Sequence, residues 1–357
     1  MMARITTFLL CLASAVALLP SRYGRAVAGD RGLRSVGREL RRRTTPCAKA
    51  GVLFDFDGTL GDTETPAMQV AYWELAPFFP EASRPSCSDY VRDNAGRPFE
   101  AMVEDCDAER AAAGLPPIEE ARSGVADTLG ADVLGTIDKS RAAFGLASLT
   151  AATPEFGDIL TMQKDETVAA LAACAEAVPH CKEMLAALDG LDVPYCIATT
   201  SGKPRVPVSI DACGLRPNFT PESVHSGESD FDPPRFKPDP AVYLKAAEWL
   251  GVKPAEAVAV EDSASGVGSA SNAGVGLIVG YVGASHIAQE LKASHAAMLM
   301  QGTRADSGRG AAVVIEDMRD LPAVVKVFKD QGPGAEGVWD QGAAPFVGVC
   351  GGAVFTP

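Results

Sequence analysis

Gly51-Val52-Leu53-Phe54-Asp55-Phe56-Asp57-Gly58-Thr59-Leu60 sets two aspartates, two residues apart, directly behind an apolar run. Residues i and i+2 of a strand point to the same side, so the run reads as a buried strand delivering two carboxylates to one spot. Gly58 allows a tight exit, and the Thr59 hydroxyl is expected to hydrogen-bond the turn. The carboxyl end of a parallel strand is where open α/β sheets build their sites. There, one acid can attack as a nucleophile while the other handles protons, or both can hold a hard cation such as Mg²⁺. A calcium loop or a solvated acidic turn is the blander alternative, and the apolar strand argues against it.

Three further segments follow in order. Val193-Pro194-Tyr195-Cys196-Ile197-Ala198-Thr199-Thr200-Ser201-Gly202 is an apolar strand ending in hydroxyls. Phe236-Lys237-Pro238-Asp239-Pro240 holds a lysine in extended chain before a helix, Ala241 to Leu250, which Gly251 ends. Asp239 is the expected N-cap of that helix and Pro240 its first residue. Ala257-Val258-Ala259-Val260-Glu261-Asp262-Ser263 is a strand ending in two acids, followed by Gly266. With these four segments in this order, residues 48 to 328 resemble the haloacid dehalogenase-like hydrolases, in their helical-cap phosphatase and phosphomutase branch. The resemblance implies an α/β fold: a Rossmann-like parallel-sheet core with an inserted all-helical cap domain.

The segments also make chemical sense together. Phosphoryl transfer needs an in-line nucleophile, a proton manager and positive charge around the phosphoryl oxygens. Asp55 is the candidate nucleophile and Asp57 the candidate general acid/base. Thr199 and Thr200, with the backbone N–H groups that follow, are candidates for binding phosphoryl oxygens, and Lys237 brings a cation to them. Glu261 and Asp262 would complete a Mg²⁺ site with Asp55 and the main-chain carbonyl of Asp57.

Between the first two segments, Thr63 to about Ala177 is rich in alanine and acids. Thr63–Leu75, Pro98–Ala113, Ile118–Leu129 and Lys164–Ala177 read as helices, and Thr150 to Gly157 as an extra loop. In the resembled family a mobile cap occupies this place, closes over the substrate and carries specificity. Asn94-Ala95-Gly96-Arg97-Pro98 is the candidate substrate-reading loop, with Arg97 able to grip an anion bidentately. The division expected is 48–62 and 178–328 for the core, 63–177 for the cap, and 329–357 for a Gly/Ala/Pro-rich tail of little order. Within the core, Pro179–Leu188 and Ile287–Met300 read as helices, and Ser223–Ser226, Gly274–Val282 and Ala311–Ile315 as strands.

Residues 1–47 read as a targeting presequence. Ile5 to Leu19 is uncharged and apolar or small, shorter than the roughly 20 residues that span a bilayer, so it fits a secretory h-region. The Arg-rich stretch behind it, ending in Arg41-Arg42-Arg43, resembles the two-part presequences of algal complex plastids; an ordinary secretory leader is the alternative. Residues 1–50 hold ten Arg/Lys and two Asp/Glu, which leaves 22 basic and 44 acidic residues beyond them. So acidic a body argues against nucleic acid as a partner. The nine cysteines include no C-x-x-C pair and the four histidines show no metal-ligand spacing, so neither type is assigned to chemistry.

Gly280-Tyr281-Val282-Gly283-Ala284-Ser285-His286 and Glu316-Asp317-Met318-Arg319-Asp320-Leu321-Pro322 resemble the ends of bacterial sugar-phosphate phosphatases, including those acting on 6-phosphogluconate. The Ser229–Arg235 stretch departs from shorter family members. The expected activity is a Mg²⁺-dependent phosphatase of a small phosphorylated metabolite, such as a sugar phosphate, acting through an aspartyl-phosphate on Asp55. The alternatives are a phosphomutase of the β-phosphoglucomutase type and a non-catalytic phosphate-binding protein. Dehalogenation fits less well, because members of the resembled family with that activity lack the second acid that Asp57 supplies here. No reading of oligomeric state follows.

Overall fold

The computed structural model describes residues 50–94, 97–122, 130–152 and 157–332, with 339, 342, 344–348, 350–351 and 354–355 near the C-terminus. The presequence expectation, Gly96 of the candidate loop and most of Ile118–Leu129 lie outside them.

The first described elements are β1 (Gly51–Phe54) and the two-residue β2 (Gly61–Asp62). Seven helices follow: α1 (Glu64–Leu75), α2 (Cys87–Asn94), α3 (Phe99–Ala112), α4 (Ile118–Ala121), α5 (Ala131–Ala143), α6 (Leu149–Ala152) and α7 (Ile159–Cys174). β3 (Glu176–Ala177) returns antiparallel to β2, so the helical insertion enters and leaves through one strand pair. Alternation then resumes with α8 (Cys181–Gly190), β4 (Tyr195–Thr199), α9 (Arg205–Ala212), β5 (Val224–Ser226), α10 (Ala241–Leu250), β6 (Ala257–Glu261) and α11 (Ala264–Asn272). It ends with β7 (Leu277–Tyr281), α12 (Lys292–Gln301), β8 (Val313–Ile315), α13 (Leu321–Gln331) and β9 (Val354–Phe355).

The seven-stranded sheet has the order β5-β4-β1-β6-β7-β8-β9, parallel except for β9. All of β1, β6, β7 and β8 is buried, which requires cover on both faces. The chain passes from β1 to β4 and β5 on one side, then crosses to β6 on the other. The crevice beyond the carboxyl ends of β4, β1 and β6 is therefore the topological switch point, where such sheets place ligands. A second apolar cluster, including Val70, Trp73, Met102, Cys106, Ile159 and Met162, sits among the inserted helices. This is the α/β sheet with an all-helical insertion that the sequence pattern predicted.

Several local expectations are corrected. Strand β1 stops at Phe54, so Asp57 lies in the turn behind it. Of Ile118–Leu129, the described helix covers only Ile118–Ala121. Helix α7 starts at Ile159, earlier than Lys164, because Asp158 caps it by accepting from the Thr161 N–H at 2.7 Å. Part of the expected Thr150–Gly157 loop is helix α6. Helix α10 begins after Pro240, while Asp239 accepts from the Ala241 N–H at 2.8 Å. The tail is not uniformly loose: Trp339 and Phe346 are buried in the sheet's apolar core, and β9 pairs with β8.

Candidate active site

Asp55 is the first residue past β1, and its N–H still donates to the Val260 carbonyl of β6 at 3.1 Å. That last ladder bond fixes where the carboxylate leaves the sheet. Lys237 Nζ donates to Asp55 Oδ1 and to Glu261 Oε1, each at 2.6 Å, and lies over the Tyr243 ring at 5.1 Å. Tyr243, from the inner face of α10, donates its hydroxyl to Glu261 Oε1 at 2.6 Å. All these side chains are buried, Glu261 and Tyr243 completely. Gly266 faces Glu261 so closely that a Cβ there would stand 1.8 Å from Oε2. The Ser263 side chain caps α11 by accepting from the Gly266 N–H at 3.1 Å, which seats the acids at the end of β6.

Oxygens of Asp55, Glu261 and Asp262 lie within 4.8 Å of one another. Three buried carboxylates around one lysine leave negative charge uncompensated. Burial, with Glu261 and Asp57 adding to it, pushes the Asp55 carboxyl up against the pull of Lys237. Burial, Asp55 and Glu261 likewise raise Asp262 well above the carboxylate range. For Lys237, burial opposes the charge, but the two carboxylates outweigh it and raise its affinity for the proton. A divalent cation with oxygen ligands fits this donor set, because it supplies the charge that Lys237 alone does not.

Asp57 sits in a different setting. Its Oδ1 accepts from Thr63 Oγ1 at 2.5 Å and from Arg205 Nη2 at 2.8 Å, and its Oδ2 from Ser201 Oγ at 2.6 Å. Burial opposes its charge, but Arg205 and the hydroxyl hydrogen bonds prevail and hold the carboxyl below its ordinary range. Gly58 has φ +77°, and a Cβ there would stand 2.0 Å from Asp262 Oδ2, so the turn admits only glycine. The Thr59 hydroxyl, expected to hydrogen-bond the turn, is buried with no partner among the described residues.

Thr199 closes β4 beside these acids, and its Oγ1 accepts from the Ser201 N–H at 3.1 Å. One of the backbone donors expected to bind phosphoryl oxygens is thus engaged by Thr199 itself. The Thr200 carbonyl accepts from the Glu228 N–H at 3.3 Å. The Ser229–Arg235 stretch secures the same loop: Ser229 Oγ accepts from the Lys203 N–H at 2.9 Å, and Asp230 pairs with Lys203 and Lys245. The four sequence segments therefore meet at one place. Arg97 lies elsewhere in the network: Nη1 donates to Asn94 Oδ1 at 2.7 Å and Nη2 to Asp105 Oδ2 at 2.6 Å, both on the helices that flank it.

The haloacid dehalogenase-like hydrolase family model matches residues 49–274, more than half of the chain. The chain belongs to this family. This haloacid dehalogenase-like chain is 32% identical over 128 residues to a probable pseudouridine-5′-phosphatase of Drosophila melanogaster, covering 35% of the chain and 54% of that relative. A CBBY-like protein of Arabidopsis thaliana is 56% identical over 46 residues, 13% of the chain and 14% of the relative. The chain thus spans about half or less of the length of these curated relatives. Among solved structures, a conserved haloacid dehalogenase-like protein of unknown function from Agrobacterium tumefaciens is similar, at TM-score 0.51 and 27% identity over 78% of this chain and 98% of that one.

Sequence reasoning missed Arg205, Thr63 and Tyr243. Tyr243 was accessible to it, as an inward residue of a helix already delimited. Arg205, at the first position of α9, carried no pattern that set it apart from a helix-start cation. Two of the four histidines, assigned no chemistry from spacing, border the site: His286 Nε2 is 3.5 Å from Asp262 Oδ2, and His295 Nε2 is 2.6 Å from the Asp262 carbonyl.

Proposed function

We propose that the protein is a Mg²⁺-dependent phosphatase that hydrolyses a small phosphate monoester, a sugar phosphate before others, through an aspartyl-phosphate on Asp55. The observation that carries this reading is the buried Asp55–Lys237–Glu261 network beside Asp262 at the switch point of the sheet. Asp55 attacks phosphorus, the bond to the leaving oxygen breaks, and Asp57, once it has taken a proton from solvent, supplies that oxygen's proton. Water then attacks phosphorus of the phospho-aspartate and gives its proton to Asp57, releasing phosphate and the free carboxylate. The Arg205, Ser201 and Thr63 contacts favour ionised Asp57, the state that accepts this proton. Thr199, Thr200 and Lys237 would stabilise phosphoryl oxygens. Asp55, Asp262, Glu261 and the Asp57 main-chain carbonyl would hold Mg²⁺, which when bound neutralises charge on the phosphoryl group.

The similarity to a phosphatase-named relative supports a monoester substrate. The test is phosphate release from a panel of sugar phosphates, nucleoside monophosphates and an aryl phosphate, with and without chelator. A preferred sugar phosphate, silenced by chelator and restored by Mg²⁺, is the expected result. Isomerisation without net phosphate release would move the assignment to a mutase, and no turnover of any ester would remove the catalytic reading. For residues 1–47, the apolar run followed by an Arg-rich stretch supports a plastid address. Diffuse cytosolic signal from a fluorescent fusion to residues 1–50 would refute that.

A further inference from the structure

Asp262 is approached from two directions by residues that lie outside the four motif segments, one through a hydrogen bond and one through close packing. Strand β6 ends at Glu261, so the Asp262 carbonyl has left the ladder that would have supplied its donor. His295, in the first turn of α12, provides one: its Nε2 stands 2.6 Å from that carbonyl. A carbonyl only accepts, so Nε2 of His295 carries the proton of this bond. On the side-chain end, His286 comes from the loop after β7 and places Nε2 3.5 Å from Asp262 Oδ2. Its Nδ1 is buried with no partner among the described residues, so Asp262 is the polar neighbour toward which the ring is turned. The packing is closed from above as well. A Cβ on Gly58 would stand 2.0 Å from Asp262 Oδ2 and 2.8 Å from His286 Cε1, so the turn, the carboxylate and the imidazole are stacked without free space. The loop that carries His286 is itself anchored, because the neighbouring Ser285 donates its hydroxyl to Asp62 Oδ1 at 2.6 Å.

We propose that His295 and His286 form a clamp on Asp262, one on its main chain and one on its carboxylate, that sets the direction in which Asp262 faces the Asp55–Glu261–Asp262 cluster. Both are positioning residues, since they act through Asp262. The proposal rests on the reading of that cluster as the cation site. It gives a physical role to the Gly280–His286 stretch, which the chemistry of the four segments does not use. A carboxylate free to swing among rotamers must be ordered when a cation arrives, and a carboxylate already held need not be. Outer-shell partners of this kind change metal affinity by about 10- to 100-fold when removed.

The experiment is calorimetric titration of Mg²⁺ into the metal-stripped full chain, for wild type, His286→Leu, His286→Gln and His295→Gln. The unfolding midpoint without Mg²⁺ is recorded for each as the measure of fold. Wild type is expected to bind one Mg²⁺, His286→Leu to bind it about 10- to 100-fold more weakly at a near-unchanged midpoint, and His286→Gln, which retains a donor, to recover part of the loss. His295→Gln keeps a donor on a shorter reach and is expected to fall between wild type and His286→Leu; it also serves if His286→Leu does not fold. Wild-type Mg²⁺ affinity in His286→Leu and His295→Gln overturns the clamp while leaving the cation site intact. No Mg²⁺ binding by wild type itself overturns the cation site instead.

Discussion

Arg141 and Lys237 are both buried cations held by carboxylates, Arg141 among the inserted helices and Lys237 at the carboxyl ends of the sheet. Arg141 meets Glu166 through two parallel hydrogen bonds of 2.8 and 2.6 Å and donates its Nε to the Ala147 carbonyl at 2.8 Å. The fork geometry of guanidinium and carboxylate is filled on both sides. Glu74 adds a second acid there, and burial and the adjacent Glu166 raise its carboxyl well above the ordinary range, which favours its neutral form. Around Lys237 the balance differs. Asp55 and Glu261 share one ammonium, Asp262 adds a third acid beside them, and the acids come from two strand ends far apart in sequence. A buried charge is therefore not by itself the sign of a site. The sign is a charge surplus at strand ends, with ligands brought together only by the topology.

Substituting within the two clusters should break that contrast or sharpen it. Asp55→Asn is expected to remove all phosphatase turnover, since an amide cannot form the acyl-phosphate, while the unfolding midpoint holds or rises as a crowded carboxylate is lost. Turnover near wild type in that variant would sink the mechanism. Arg141→Ala should do the reverse. Leaving Glu166 buried without its partner costs about 3–5 kcal/mol, read by denaturant unfolding, and any fraction that stays folded should retain its chemistry.

Glu74→Gln is a finer test. A carboxyl whose folded-state pKa is raised contributes stability that is complete below its unfolded value, and that contribution is lost as pH rises toward the folded one. Wild type should thus lose more stability than Glu74→Gln as pH rises above the ordinary carboxylate range, since the raised Asp55 and Asp262 are common to both. The two unfolding midpoints should converge near pH 4 and diverge as pH rises above the ordinary carboxylate range. Parallel midpoints across that range would mean that Glu74 is not held neutral. The smallest effect is expected from Arg97→Ala. Its exposed ion pair with Asp105 is of a class worth at most about 1 kcal/mol, and kcat/KM should hold for both the best substrate and an aryl phosphate. A selective loss of about tenfold or more on the natural ester would return Arg97 to the substrate.

The elements that the sequence made legible are those whose signal is local. Val52 to Phe54 is apolar and β-forming, Gly251 stops α10 in the left-handed region at φ 71°, and the four motif segments carry paired acids, hydroxyls or a lysine next to strand ends. What stayed hidden depends on non-local partners. Arg205 is an unremarkable helix-start arginine until the fold brings Asp57 to it, 148 residues away. His286 and His295 lack ligand spacing because their partner is Asp262. The tail reads as Gly/Ala/Pro-rich chain, yet Trp339 and Phe346 find the sheet's core. Arg97 was legible as a cation near a turn, but Asp105, eight residues on, claims one of its nitrogens.

The pairing of β2 with β3 has a consequence for modularity. Gly61 lies opposite Ala177 and Asp62 opposite Glu176, so the two ends of the insertion are about 5 Å apart. A segment whose ends already touch can be lengthened, shortened or exchanged without changing the span it must bridge. Loop-closure entropy grows only with the logarithm of its length. The sheet is in effect a socket: a two-strand stem bearing a different helical bundle, or a short hairpin turn, would leave the registers of β1, β4 and β6 unaltered.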